Sequence, residues 1–392
     1  AFKQADAKMP QDEPGYSAKK YFEMADSLNA YASANPSSPN AAKAVSEAEN
    51  YIKKSVAADN KNAKAHYTYS QIAEKQKQEQ TALSELEKAR NLDPENYLYN
   101  YELGKKYYAL GQYQKAKQAF EKSAKSNPGF ESAFFNLGIT NKKLGRDNDA
   151  YTAFSSAVKI KADYVKAILE MARIKKAQKK LNQAIDHYKT AIGYEPSNTV
   201  ILREMAQVYA DIRQHGQAEK YFKDALKLGD NDALTYYNLA TVQIDLGKTQ
   251  EALANAEKAH DLKPKDARFL YTYGLALEKN GRREEARKFY LEAIGENQNY
   301  AKPKINLGRI YLDSNRLNDA EEYLRDAYAL EPNNFEVNTN LGKVYGLKSD
   351  FAKSITHYTE AAKNQPKNIT AKQNLAAAFI SADMKENAAS VY

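Results

Sequence analysis

The chain has 392 residues, 43% apolar and 28% charged, the make-up of a folded soluble protein, and no stretch approaches the 18 or more apolar residues of a membrane-spanning helix. Lys and Arg exceed Asp and Glu by 58 to 50, but the +8 is spread through interleaved acids and bases, so no nucleic-acid partner is expected and acidic protein partners are mildly favoured. The absence of Cys removes disulfides, thiolate metal sites and cysteine nucleophiles together, and leaves cytoplasmic and periplasmic locations open.

In chain order, residues 1–15 read as a linker stub. Pro10, Pro14 and Gly15 break regular structure, and Ala1 to Ser17 hold neither an initiator Met nor a basic-then-apolar leader. An initial Ala and a last residue inside a repeat are read as the ends of a piece of a longer protein. Two helices follow, Tyr16 to Ala34 and Asn40 to Ala58, separated by the breaker segment Asn35-Pro36-Ser37-Ser38-Pro39. Residues 16–62 are therefore expected to form a degenerate first hairpin or cap.

From residue 63 one 34-residue phase runs on without insertion or deletion, with repeats starting at 63, 97, 131, 165, 199, 233, 267, 301, 335 and 369. At position 20 they carry Ala82, Ala116, Ala150, Ala184, Ala218, Ala252, Ala286, Ala320, Ser354 and Ala388. Position 8 is Gly, Ala or Ser throughout, and position 27 is Ala with Ser123 as the exception, so two helices can approach closely there. Larger residues fill position 7 (Leu103, Met171, Leu307, Leu341) and position 24 (Phe120, Phe154, Tyr188, Phe222, Tyr290, Leu324, Tyr358). Positions 4, 7, 8 and 11 share one helical face, as do 20, 24 and 27, so each repeat encodes two amphipathic helices. Gly111, Gly145, Gly247 and Gly281 at position 15 end the first, and Pro94, Pro128, Pro196, Pro264, Pro332 and Pro366 at position 32 stop the second.

Leu103-Gly104, Tyr107, Gly111, Ala116, Phe120 and Pro128, with their equivalents in later repeats, closely resemble the tetratricopeptide repeat over residues 63–392. The resemblance implies an all-α fold, a right-handed superhelical solenoid of antiparallel helical hairpins, with nine complete repeats and a truncated tenth. Two departures stand out. Position 4 never carries the family's frequent Trp, its space falling to residues such as Phe134, Tyr236 and Leu270, and Ala162, Asp230 and Gln298 replace Pro at position 32.

No catalytic machinery is visible. His66, His187, His215, His260 and His357 are isolated in sequence and mostly near helix surfaces, and no phosphate loop, nucleophile elbow or H-E-x-x-H occurs. No enzyme activity, metal or other cofactor is expected. Most of the 30 Tyr are assigned to packing between repeats.

The resemblance also implies that first helices line a concave groove, with positions 2, 5, 6, 9, 12 and 13 facing into it. Position 5 offers Tyr67, Tyr101, Phe135, Tyr237 and Tyr271, and positions 2, 5 and 9 offer Lys64, Lys105, Lys166, Arg173, Arg203, Arg268, Lys302, Arg309 and Lys343. Asp211, Asp245, Glu278 and Asp313 edge this basic, aromatic face. Position 6 carries Asn136, Asn238, Asn306, Asn340 and Asn374, and a side-chain amide, donating and accepting together, can hold an extended peptide backbone whatever its sequence. The expected role is a scaffold or adaptor for partner proteins or extended peptides, with Lys302, Arg309 and Lys343 favouring acidic side chains. The alternatives are a partner-recruiting arm of a larger enzyme or of a secretion or envelope assembly, and self-association through unfinished ends. The Lys-and-Asn clamp by which some family members hold chaperone C-termini is missing, since no repeat pairs Lys at position 5 with Asn at 9.

Overall fold

The computed structural model describes residues 14–391, and among these it holds 22 helices and no strand. Residues 1–13 of the expected linker stub lie outside the described residues. The first helix, Pro14–Ala34, starts ahead of the boundary read from the sequence, so Pro14 opens a helix instead of ending a linker. Proline at the first helical position gives up only an N–H that would lack a partner, and its φ already suits the helix. Ala41–Ala58 packs back on it around Met24, Leu28, Tyr51 and Ile52.

The repeat register then holds residue for residue. First helices are Ala63–Lys75, Tyr97–Ala109, Glu131–Lys143, Val165–Ala177, Thr199–Asp211, Ala233–Asp245, Ala267–Lys279, Ala301–Asp313, Phe335–Leu347 and Ile369–Ser381, always positions 1–13. Second helices are Glu79–Leu92, Tyr113–Ser126, Asp147–Ile160, Leu181–Tyr194, His215–Lys227, Thr249–Leu262, Arg283–Glu296, Leu317–Leu330, Phe351–Asn364 and the short Lys385–Ser390. The chain divides into two compact units, residues 1–196 and 197–392. Within the units several successive first helices touch one another in addition to their own partners, those starting at 97 and 131 in the first and at 199, 233 and 267 and again at 301, 335 and 369 in the second, which puts these first helices on the inner side of the stack.

Close approach of the two helices explains the small residues. A Cβ at Gly104, Gly138, Gly274 or Gly342 would sit 2.6–2.8 Å from the position 24 ring of the same hairpin, and one at Gly308 would sit 2.4 Å from Leu324 Cγ. Those position 24 side chains are mostly sealed, and burying one such ring contributes roughly 2–3 kcal/mol. Position 20 alanines are buried, and where Ser enters the contact its hydroxyl donates across it: Ser70 to the Ala82 carbonyl at 2.7 Å, Ser354 to that of Gly342 at 2.8 Å.

The turn inside every hairpin uses one conformation. Position 15 lies in the left-handed region in all ten repeats, at Gly111, Gly145, Gly247 and Gly281 but also at Lys77, Lys179, Arg213, Asn315, Ser349 and Asp383, with φ from 57° to 79°. The geometry of the contact dictates the turn, and glycine only relaxes it. Position 4, in turn, is filled in several ways, in one repeat by Lys304 with its ion pair to Asp326 at 2.9 Å. Phe134, Tyr236 and Leu270 supply the expected bulk, whereas Asn100 and Asn338 donate to the carbonyl six residues back, Pro94 at 2.9 Å and Pro332 at 2.7 Å, and His66 holds that of Asn60 at 3.0 Å. Where Asp230 stands for Pro, its carboxylate accepts from the Thr235 hydroxyl at 2.7 Å and from Arg203, and organises the turn electrostatically.

Candidate functional site

The inner face of the first helices is the candidate partner surface, and its chemistry is set mostly between neighbouring repeats. Each position 5 aromatic is capped by a ring from the last residue of its own repeat or the start of the next. Tyr67 meets Tyr99, Tyr101 meets Phe130, Phe135 meets Tyr164, Tyr237 meets Phe269 and Tyr271 meets Tyr300, with ring centroids 4.8–5.3 Å apart. Burial pushes the hydroxyls of Tyr67 and Tyr271 up to about 12 and that of Tyr300 higher still, so all stay neutral. These rings are mortar between repeats, with one edge left to the surface.

Most of the cations face acids. Arg173 bridges Glu170 at 2.6 Å, and Lys142 reaches the same carboxylate from the repeat before. Arg203 joins Asp232 at 2.8 Å and Asp230 at 3.4 Å, Arg268 is bidentate on Asp266, and Arg309 bridges Glu278 with Asp313 at 4.0 Å. Lys105 pairs with Glu102 at 2.9 Å, and Lys64 lies 3.9 Å from Asp26. For Glu170, burial alone would raise the carboxyl, but the hydrogen bonds from Lys142 and Arg173 outweigh it and hold it low. Of the cations proposed for the C-terminal half, Lys302 and Lys343 are exposed and have no acid within salt-bridge distance among the described residues.

The position 6 asparagines divide as well. Asn136 donates to the Tyr101 hydroxyl and Asn306 to that of Tyr290, both at 2.9 Å; Tyr290 passes the bond on to Glu278 at 2.8 Å, and Glu278 holds Arg309. Asn306 is buried, so its amide is tied into the packing. Asn340 has no such tyrosine, because positions 5 and 24 of the preceding repeat are Ile305 and Leu324. Its Nδ2 is buried without a hydrogen-bond partner, as is the hydroxyl of Thr339 beside it. The side chains of Asn238 and Asn374 are half-buried and make no hydrogen bond among the described residues.

Two features escaped the sequence reading. Thr339 was passed over because it stands at position 5, where the aromatic series Tyr67, Tyr101, Phe135, Tyr237 and Tyr271 drew the attention. The acids at position 6, Glu102 and Glu170, which neutralise the cations three residues on, were readable from helical i,i+3 spacing. Away from this face, His66 is buried between Glu85, at 2.5 Å, and the Asn60 carbonyl, deeper than the surface position expected. No cluster of His and acidic residues that could hold a metal exists among the described residues, and no described helix is long and apolar enough to cross a membrane.

Family models described as tetratricopeptide repeat match residues 97–130, 175–242, 237–301 and 305–369, together more than half of the chain. No curated protein sequence matches. Among solved structures, a chain of the APC/C hetero-tetramer Cut9–Hcn1 shares the fold at 14% identity, over 90% of this chain and 96% of that one, with a TM-score of 0.50. YrrB, described as a TPR protein with an unusual peptide-binding site, is 21% identical over 48% of this chain and 96% of its own, with a TM-score of 0.43. The C-terminal part of a TPR repeat-containing protein from Cytophaga hutchinsonii is 15% identical over 79% of this chain and 99% of its own, with a TM-score of 0.42. With the 34-residue register, the small-residue contact at positions 8 and 20 and these matches together, the chain belongs to the tetratricopeptide repeat family.

Proposed function

We propose that the chain is a non-catalytic scaffold that holds an extended, acidic peptide segment of a partner protein on the inner face of its last repeats. The observation that carries this reading is the Asn340 amide, whose buried Nδ2 has no acceptor among the described residues although the equivalent Asn136 and Asn306 each have a tyrosine hydroxyl. A buried donor left open destabilises the free protein, and a peptide carbonyl removes that penalty on binding. Lys302 and Lys343 flank it as unpaired cations and supply the preference for acidic side chains, while Asn374 continues the row of amides one repeat on. Arg173, Arg203, Arg268 and Arg309, already paired with acids, contribute orientation more than free charge.

The test uses peptides selected on the full chain from a random extended-peptide library. Asn340→Ala with Asn374→Ala should weaken the selected ligand by about 10-fold or more, at roughly 1 kcal/mol per amide contact. Lys302→Glu with Lys343→Glu should weaken acidic ligands and leave neutral ones unchanged. An unaltered Kd in the double asparagine variant sinks the reading.

A further inference from the structure

Position 28 of each second helix faces the next repeat, whose position 23 lies over its own position 11. At two junctions of the second half rings fill this space: His260 stacks against Tyr273, at position 7, and meets Phe289 edge-on, and Tyr328 meets the edge of His357, which lies flat on Tyr345 at 5.5 Å. The junction between the repeats that start at 63 and 97 departs from this at both places. Position 28 is Arg90, where the other complete repeats have Ala124, Val158, Ile192, Leu226, His260, Ile294, Tyr328 and Ala362, and position 23 is Ala119. With no ring laid over Tyr107, a cavity of about 440 Å³ stays open.

The charged residues that line this cavity are all cations, Arg90, Lys115 and Lys122, joined by Gln118 and Tyr107. Lys122 is paired with Glu95, but among the described residues neither Arg90 nor Lys115 has an acid within salt-bridge distance. Nε of Arg90 is buried with no hydrogen-bond partner, and the Lys115 ammonium sits 5.4 Å from the centre of the Tyr107 ring. Glu87 accepts the Tyr107 hydroxyl at 2.6 Å and is not part of the lining. The first-helix residues that line it occupy positions 4, 7 and 11, none of which belongs to the peptide face.

We propose that this cavity binds a phosphoryl dianion, either free or esterified to a partner's side chain. Two unpaired cations balance two negative charges, whereas a carboxylate would leave one cation unmatched. A guanidinium with an inward N–H beside an ammonium is the donor set that phosphoryl oxygens take. The open Arg90 N–H gains its missing acceptor on binding.

The test titrates the full chain with inorganic phosphate at constant ionic strength, by calorimetry, against two variants. Arg90→Leu installs the apolar kind of residue found at position 28 elsewhere, and Ala119→Tyr adds the missing ring while keeping every cation. Wild type should bind phosphate saturably and more tightly than acetate, and Kd should rise about 10-fold or more in both variants. Circular dichroism and an unshifted thermal transition without phosphate confirm that the variants fold. Binding of N-acetyl-phosphoserine amide as tight as that of phosphate assigns the site to a phosphorylated partner, and its exclusion with phosphate retained assigns a free anion. No saturable phosphate binding by wild type, or equal affinity in wild type and both folded variants, overturns the proposal.

Discussion

The two halves of the chain are built on one 34-residue unit but use charge differently. Residues 1–196 carry 31 Lys and Arg against 23 Asp and Glu, and residues 197–392 carry 27 of each, so the whole net charge of +8 lies in the first half. That half nevertheless closes much of its inner face with ion pairs, Lys106 to Glu74, Lys105 to Glu102, and Lys142 and Arg173 to Glu170. On that face the first half leaves Lys166 exposed with no acid within salt-bridge distance among the described residues, whereas the neutral half leaves two such cations, Lys302 and Lys343, and the Asn340 amide open. Net charge sets the long-range field of a region, while what a partner meets depends on which charges the neighbouring repeat has already taken.

The packing rule should break equally in both halves. Gly138→Val in the first and Gly308→Val in the second each drive a branched side chain into the position 24 residue, Phe154 or Leu324, and should cost about 2–3 kcal/mol in urea unfolding. A much smaller loss at one site would show that its hairpin can open. Tyr290→Phe comes next, at about 2 kcal/mol, since it strips a bond from both Asn306 and Glu278 in a buried network. The asparagines then sharpen the contrast: Asn306→Ala should cost about 1 kcal/mol of stability, whereas Asn340→Ala should cost none, because it removes a donor that was never satisfied. Equal losses in the two variants would contradict the division of the row into structural and open amides.

Smaller gains are expected at position 15. Lys179→Gly in the first half and Asn315→Gly in the second should each raise stability by up to about 1 kcal/mol, with Asn315 the weaker case because Asn tolerates the left-handed region better. Thermal unfolding checks both. His66, which exists in the first half alone, gives the finest distinction. Both ring nitrogens face acceptors, Glu85 and the Asn60 carbonyl, and the hydrogen bond to Glu85 holds its pKa above the usual 6.5. Its contribution is therefore complete below pH 6.5 and is lost as pH rises through the folded-state value. His66→Asn, which copies Asn100 and Asn338, should flatten that alkaline slope while keeping the bond to Asn60; a slope that persists would place its origin elsewhere.

Much of the fold was legible because repeat packing is nearly one-dimensional: positions 8, 20 and 24 meet inside one hairpin, so their residues appear at fixed spacing in the chain. The surprises sat where local signals run out. Pro14 looked like a breaker and opens a helix, and six non-glycine residues take the left-handed turn that four glycines advertised. The row of position 6 asparagines was plain to see, but its division was not, because the acceptor for Asn306 lies sixteen residues back on another helix and the one Asn340 lacks would have stood at Ile305 or Leu324.

By itself the sequence determined the period, the two-helix unit, the small-residue contact and the absence of cysteine chemistry, since each rests on residue type at short range. Only the tertiary structure decided which cations are free, which amides are spent on tyrosine and where Arg90 faces a cavity instead of a ring. Those outcomes depend on the side chain that the next repeat sets opposite, and in a low-dielectric contact a single present or missing partner decides whether a polar group is structural or available.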